Sequence, residues 1–187
     1  IEAPAFDKQL LINQLSDIKN VMAAHPQDFF VQLQQLCLKA GVKIIYTPCV
    51  KQAPISGATR WINNHPVIQL TGRYNQNDRF WFTFFHEIGH VLLHGKKEIF
   101  LEDIEYSDYD KQKEQEADDF AVKWTFSEEQ ENEVLKNEDL TEREIVEFAN
   151  KFNTHPAIII GRLQKKEIIH YSQGRQFFLK LNFNNSN

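Results

Sequence analysis

Phe80-Trp81-Phe82-Thr83-Phe84-Phe85-His86-Glu87-Ile88-Gly89-His90-Val91-Leu92-Leu93-His94 is an apolar run with helix-compatible spacing, and His86 to His90 within it form an HExxH pattern. On a helix, positions i and i+4 stand one above the other. His86 and His90 are therefore predicted to offer two imidazole nitrogens to one metal ion. Glu87 projects beside them, placed to take a proton from a water on that metal. Chance supplies such a pattern in roughly 2% of chains with this histidine content, so it is read as a site rather than as a buried helix with satisfied histidines. Gly89 costs about 1 kcal/mol of helix stability against Ala, which predicts that another element packs closely there. Phe82, Phe85, Ile88, Gly89, Leu92 and Leu93 are expected to be buried around this helix.

Two histidines do not complete a zinc site, because a catalytic zinc takes three protein ligands and keeps a fourth position for water. The next predicted helix offers Lys113-Glu114-Gln115-Glu116-Ala117-Asp118-Asp119-Phe120-Ala121. Glu114 and Asp118 are i and i+4 and share a face. Such a pair suits one ligand carboxylate and one that accepts the second ring N–H of a ligand histidine. Glu116 is the rival ligand. Ala117, Phe120 and Ala121 form an apolar stripe that can pack this helix on the first. His94, at i+8 from His86, is expected to close the helix end rather than bind metal. A donor for an oxyanion is also needed, and His65, Tyr74, Tyr106, Tyr109 and His155 all stay open for that role.

The remaining composition sets bounds. The 187 residues suffice for one well-filled core, and 42% hydrophobic with 25% charged residues is ordinary for a globular protein. A net charge of −5 gives no global attraction to nucleic acid. No apolar run approaches 18 residues, so no membrane-spanning helix is predicted. Ile1-Glu2-Ala3-Pro4 lacks the basic and apolar parts of a signal peptide. The absence of a starting Met leads us to expect a processed product or a fragment. Cys37 and Cys49 form no framework and are expected to be reduced thiols in a cytoplasmic protein.

Along the chain, helical spacing predicts helices over 6–23 and 26–40. Strands are expected at 42–47, 57–62 and 67–71, with Asn63-Asn64-His65-Pro66 as a turn. Asn77 or Asp78 is the expected cap of the HExxH helix and Gly95 its end. An acidic loop should follow over 99–109. Helices are then predicted over 110–125, 127–137, 141–152 (opened by the capping box Thr141-Glu142-Arg143-Glu144) and 155–166. A last strand is expected over Gln176 to Phe183. The predicted class is α+β, a small, twisted, mainly antiparallel sheet packed against the HExxH helix and the following ligand-bearing helix. Residues 1–25 are assigned to a helical segment or linker from a missing upstream region, 26–126 to the metal-binding core, and 127–187 to a helical extension.

The run Phe84 to His94, followed by Glu114-Gln115-Glu116-Ala117-Asp118-Asp119-Phe120-Ala121, resembles the ImmA/IrrE family of zinc metallopeptidase-like proteins. The likeness is firm over Val42 to Ala121. It continues more weakly through His155-Pro156-Ala157-Ile158-Ile159-Ile160-Gly161-Arg162-Leu163-Gln164, which is similar to members fused behind a helix-turn-helix domain, such as HigA-like antitoxins and phage-type regulators. The resemblance implies a zincin-like fold with Zn2+ held by His86, His90 and Glu114, Glu87 as the base, and Asp118 supporting a ligand histidine. It also implies substrate lying along an edge strand beside the active helix, for which Val67 to Thr71 is the expected strand. One departure concerns wall shape: relatives continue with Leu-Leu-Met-Pro where this chain has Val122-Lys123-Trp124-Thr125-Phe126. The implied function is a cytoplasmic zinc endopeptidase cleaving a specific regulatory protein such as a transcriptional repressor. The alternative is a non-catalytic, antitoxin-type module that controls an upstream DNA-binding domain, with a toxin or repressor as partner and DNA reached only through a domain outside this chain.

Overall fold

Thirteen of the seventeen residues of the HExxH helix, Asn77–Leu93, are buried, so it runs through the interior rather than over the surface. Trp81, Phe84, Phe85 and Ile88 are among the largest fully buried side chains of the molecule. The computed structural model describes residues 3–48, 55–73, 75–96, 100–101, 108–137, 140–181 and 183. In chain order the elements are α1 (Lys8–Ala24), α2 (Phe29–Lys39), β1 (Lys43–Thr47), β2 (Gly57–Ile62), β3 (His65–Thr71), α3 (Asn77–Leu93), β4 (Phe100–Leu101), α4 (Asp108–Thr125), α5 (Glu128–Val134), α6 (Glu142–Phe152) and α7 (Pro156–Lys165). The class is α+β, as expected. Tyr74, Tyr106 and Cys49 lie outside the described residues. Of the expected acidic loop, residues 100–101 form β4 and residue 108 begins α4.

The sheet has the order β1-β3-β2-β4. β2 runs antiparallel to both β3 and β4, and β1 runs parallel to β3. The turn between β2 and β3 contracts to Asn63 and Asn64, with φ of 48 and 67. A two-residue hairpin of this kind needs two positive φ values, which Asn tolerates. This leaves His65 and Pro66 free to open β3. The expected edge strand is corrected here. Val67 to Thr71 lies between β1 and β2, with Ile68 and Leu70 sealed from solvent. A strand paired on both edges leaves no open edge for substrate. The strand that meets α3 at the HExxH pattern is β2, through Thr59.

At Gly89, α3 and α4 approach closely. A Cβ built there would stand 3.1 Å from Ala117 Cα and 3.3 Å from Phe120 Cβ. The close packing expected from this glycine is therefore present, and it brings the carboxylates of α4 to the histidines of α3. Leu93 departs from expectation: it is 50% exposed, because α3 ends there and the chain turns away at Gly95 with φ +78. Phe82 is only partly buried.

The N-terminus of α3 is closed in an unexpected way. Its N-cap is Gln76, which makes no side-chain cap bond. The Asn77 N–H donates instead to the Leu179 carbonyl at 3.1 Å, and the Asn77 carboxamide accepts from Leu179 N and donates to Phe177 O. The strand expected over Gln176 to Phe183 is accordingly replaced by a 3-10 turn, Arg175–Phe177, and an extended segment. That segment bridges Lys180 to Gln76 and does not join the sheet. It satisfies the Asn77 N–H, a helix-end donor that would otherwise be orphaned.

His25, in the left-handed conformation at the C-terminus of α1, accepts the Trp81 indole N–H on Nδ1 at 3.0 Å and stacks on Phe29. Burial, and then the neighbouring His155, lowers its pKa to about 4. An unfolded chain binds this proton near pH 6.5, so the folded state is stabilised above that value and loses the contribution as pH falls from 6.5 through 4. His25→Asn keeps the acceptor and the backbone preference without the titration. We expect urea midpoints of wild type and His25→Asn to converge near neutrality and diverge in acid, with wild type falling more steeply. Parallel curves between pH 7 and pH 4 would exclude this role for His25.

Candidate metal centre

The i,i+4 spacing does on α3 what helical geometry requires. The Nε2 atoms of His86 and His90 face each other at 2.9 Å. From α4, Glu114 brings Oε2 to 3.2 Å from His86 Nε2 and Oε1 to 3.4 Å from His90 Nε2. Among the described residues this is the group of metal-ligating side chains whose donor atoms all converge, lying within 4.8 Å of one another. A tetrahedral zinc with bonds near 2.1 Å separates its ligand atoms by roughly 3.4 Å, so the observed spacings, 2.9 to 3.4 Å, are close to what that ion needs. Glu114 Oε1 is buried without a hydrogen-bond partner, which a metal would supply. With neutral imidazoles, Glu114 and Asp118 contribute two negative charges against a divalent cation.

The electrostatics point the same way. Burial pulls the His86 ring down, but the carboxylates of Asp118 and Glu114 more than offset it and hold the pKa at about 10. Burial would raise Glu114, yet the two histidines hold it down at about 2. These donors favour positive charge between them. Asp118 Oδ1 lies 2.8 Å from His86 Nδ1, the ring nitrogen turned away from the convergent group. Glu116, the rival ligand, does not join that group. It faces His94 Nε2 at 3.1 Å, and His94 Nδ1 in turn lies 3.0 Å from His90 Nδ1. His94 also occupies the C-cap of α3, its N–H on His90 O.

Glu87 is 1% exposed. Its Oε2 accepts the Thr59 hydroxyl at 2.5 Å, reaching across to β2. A Cβ at Gly57 would collide with the Glu87 carboxylate and stand 2.7 Å from Thr83 Cγ2. Gly57 and Thr59 are alternate residues of one strand, so both face α3: one makes room for the carboxylate and the other holds it. Sequence reading missed both. The available signal was small residues at i and i+2 in a predicted strand, which acquires meaning only once the strand is placed against Glu87.

The expected oxyanion donors fare differently. His155 caps α7, with Nδ1 accepting from Ala157 N and 3.3 Å from Asn77 Nδ2, and is thus taken up in structure. His65 opens β3. Tyr109 lies in the first turn of α4.

The family model for IrrE N-terminal-like domains matches residues 37–164, more than half of the chain and all of the convergent group. No curated protein matches the chain.

Proposed function

The chain belongs to the family of IrrE N-terminal-like domains, a metallopeptidase-type family, and from that premise we propose that it is a zinc-dependent endopeptidase acting on a specific regulatory protein such as a transcriptional repressor. The observation that carries this reading is the convergence of His86, His90 and Glu114 beside a buried Glu87 that binding alone does not require. His86 and His90 through Nε2, with the Glu114 carboxylate, would hold the ion. Zinc in that position supplies Lewis acidity toward water and a peptide carbonyl. Glu87 then acts as the proton carrier: it takes a proton from the attacking water and returns it to the leaving amine. Thr59 fixes the carboxylate through Oε2, and the lack of a side chain at Gly57 makes room for it. Asp118 holds the His86 ring by Nδ1, leaving Nε2 for the ion.

Among the described residues no helix is long and apolar enough to cross a membrane, and a cytoplasmic location goes with a repressor as target. The test is a comparison of new protein N-termini in a proteome treated with zinc-loaded wild type or with Glu87→Gln. A small set of cleavages present only with wild type is expected. Identical profiles would favour the non-catalytic, antitoxin-type module.

A further inference from the structure

His86 and His90 present their Nε2 atoms to the same point, but their Nδ1 atoms are held by different means. His86 Nδ1 meets a carboxylate directly, Asp118 Oδ1 at 2.8 Å. His90 Nδ1 meets another imidazole, His94 Nδ1, at 3.0 Å, and His94 Nε2 continues to Glu116 Oε2 at 3.1 Å. We propose that His94 and Glu116 form a relay that fixes the tautomer and orientation of His90, leaving its Nε2 lone pair aimed at the metal position. The proposal rests on the metal-centre reading above and assigns two residues to its support.

With all the rings neutral, as metal ligation requires, the hydrogens of this chain fall into one arrangement. A neutral imidazole carries one N–H and one lone pair. The carboxylate of Glu116 only accepts, so the hydrogen of His94 belongs on Nε2. His94 Nδ1 is then a lone pair, and the 3.0 Å contact requires His90 to carry its hydrogen on Nδ1. In that arrangement His90 Nε2 carries its lone pair toward the point it shares with His86 Nε2 and Glu114. Between Glu116 and His90, reversing one neutral ring alone would place two hydrogens, or two lone pairs, against each other.

The parts are held firmly enough to act this way. The His94 side chain is 4% exposed although it lies at the helix end. Its backbone is pinned to His90 O, and the chain turns off at Gly95. Glu116 is steadied by Gln112, whose Nε2 donates to Oε1 at 2.9 Å. The relay also explains why His94 lies so near the ligands without joining the convergent group: one ring nitrogen faces His90 and the other Glu116.

Zinc affinity, measured by competition with a chromophoric chelator, tests this without any substrate. Removing the orienting partner of a ligand histidine weakens metal binding by roughly 10–100-fold. His94→Ala is expected to show that loss while still reaching one zinc per chain at saturation. His94→Asn places a carboxamide oxygen near the position of Nδ1 and should recover most of the affinity, which a purely space-filling role would not predict. Imidazole nitrogen NMR should show the His90 Nδ1–H signal disturbed in His94→Ala and the His86 signals unmoved. If His94→Ala does not fold, Glu116→Ala, at a half-exposed side chain, carries the same comparison. Unchanged affinity in His94→Ala, or no recovery in His94→Asn, would overturn the relay alone. Loss of zinc from His94→Ala even at saturation would make His94 a ligand and also overturn it. A wild type that takes no zinc would remove the metal-centre reading and the relay with it.

Discussion

Glu87→Gln is expected to lower peptide cleavage by roughly 100- to 10,000-fold, the range contributed by a positioned acid–base group. Zinc content and thermal midpoint should stay at wild-type values. The substitution is close to isosteric. Gln retains a carbonyl oxygen that can accept the Thr59 hydroxyl, and it fits the space left by Gly57. It leaves His86, His90 and Glu114 untouched. What it removes is the proton acceptor. Rates of formation of the wild-type-specific cleavage products, measured with equal zinc loading, decide the matter. Equal rates would remove Glu87 from the chemistry.

His90→Ala should abolish stoichiometric zinc binding. The ring is 1% exposed and its Nε2 is one of the three convergent donors. A metal that binds only the folded state stabilises it by about 2.7 kcal/mol at a free concentration 100 times its Kd. Wild type should therefore unfold at a higher temperature with zinc than with chelator, and His90→Ala should show no such difference. Metal analysis together with the two melting curves checks both statements. Stoichiometric zinc surviving in His90→Ala would defeat the ligand assignment.

The parts of this molecule that were legible in the sequence are those governed by local period. His86 with His90, and Glu114 with Asp118, are i,i+4 pairs, and a helix places such pairs without help from the rest of the chain. Gly57 to Ile62 was bounded correctly because a glycine opens it and two asparagines close it. Strand order was not legible, since the position of β3 between β1 and β2 depends on pairings made far along the chain. The segment after Gly174 has the apolar residues of a strand. Leu181 is buried and Phe177, Phe178 and Phe183 pack partly against the core, while Leu179 stays exposed and the backbone bonds to the start of α3; sequence period does not distinguish these outcomes. Thr59 with Glu87, and His94 with Glu116, meet across 28 and 22 residues. Nothing local encodes such meetings, so His94 was read as a helix end and Glu116 as a rival ligand. His94 does close the helix as its C-cap, but its ring also faces His90, and Glu116 faces His94 instead of the convergent group.

The most direct test of the central claim is zinc K-edge absorption spectroscopy of the protein loaded with one equivalent of zinc. The account predicts an ion of about four ligands, with outer-shell scattering from two imidazoles, the remaining donors oxygen, and no sulfur. A zinc–sulfur distance, or a spectrum without imidazole scattering, would contradict it.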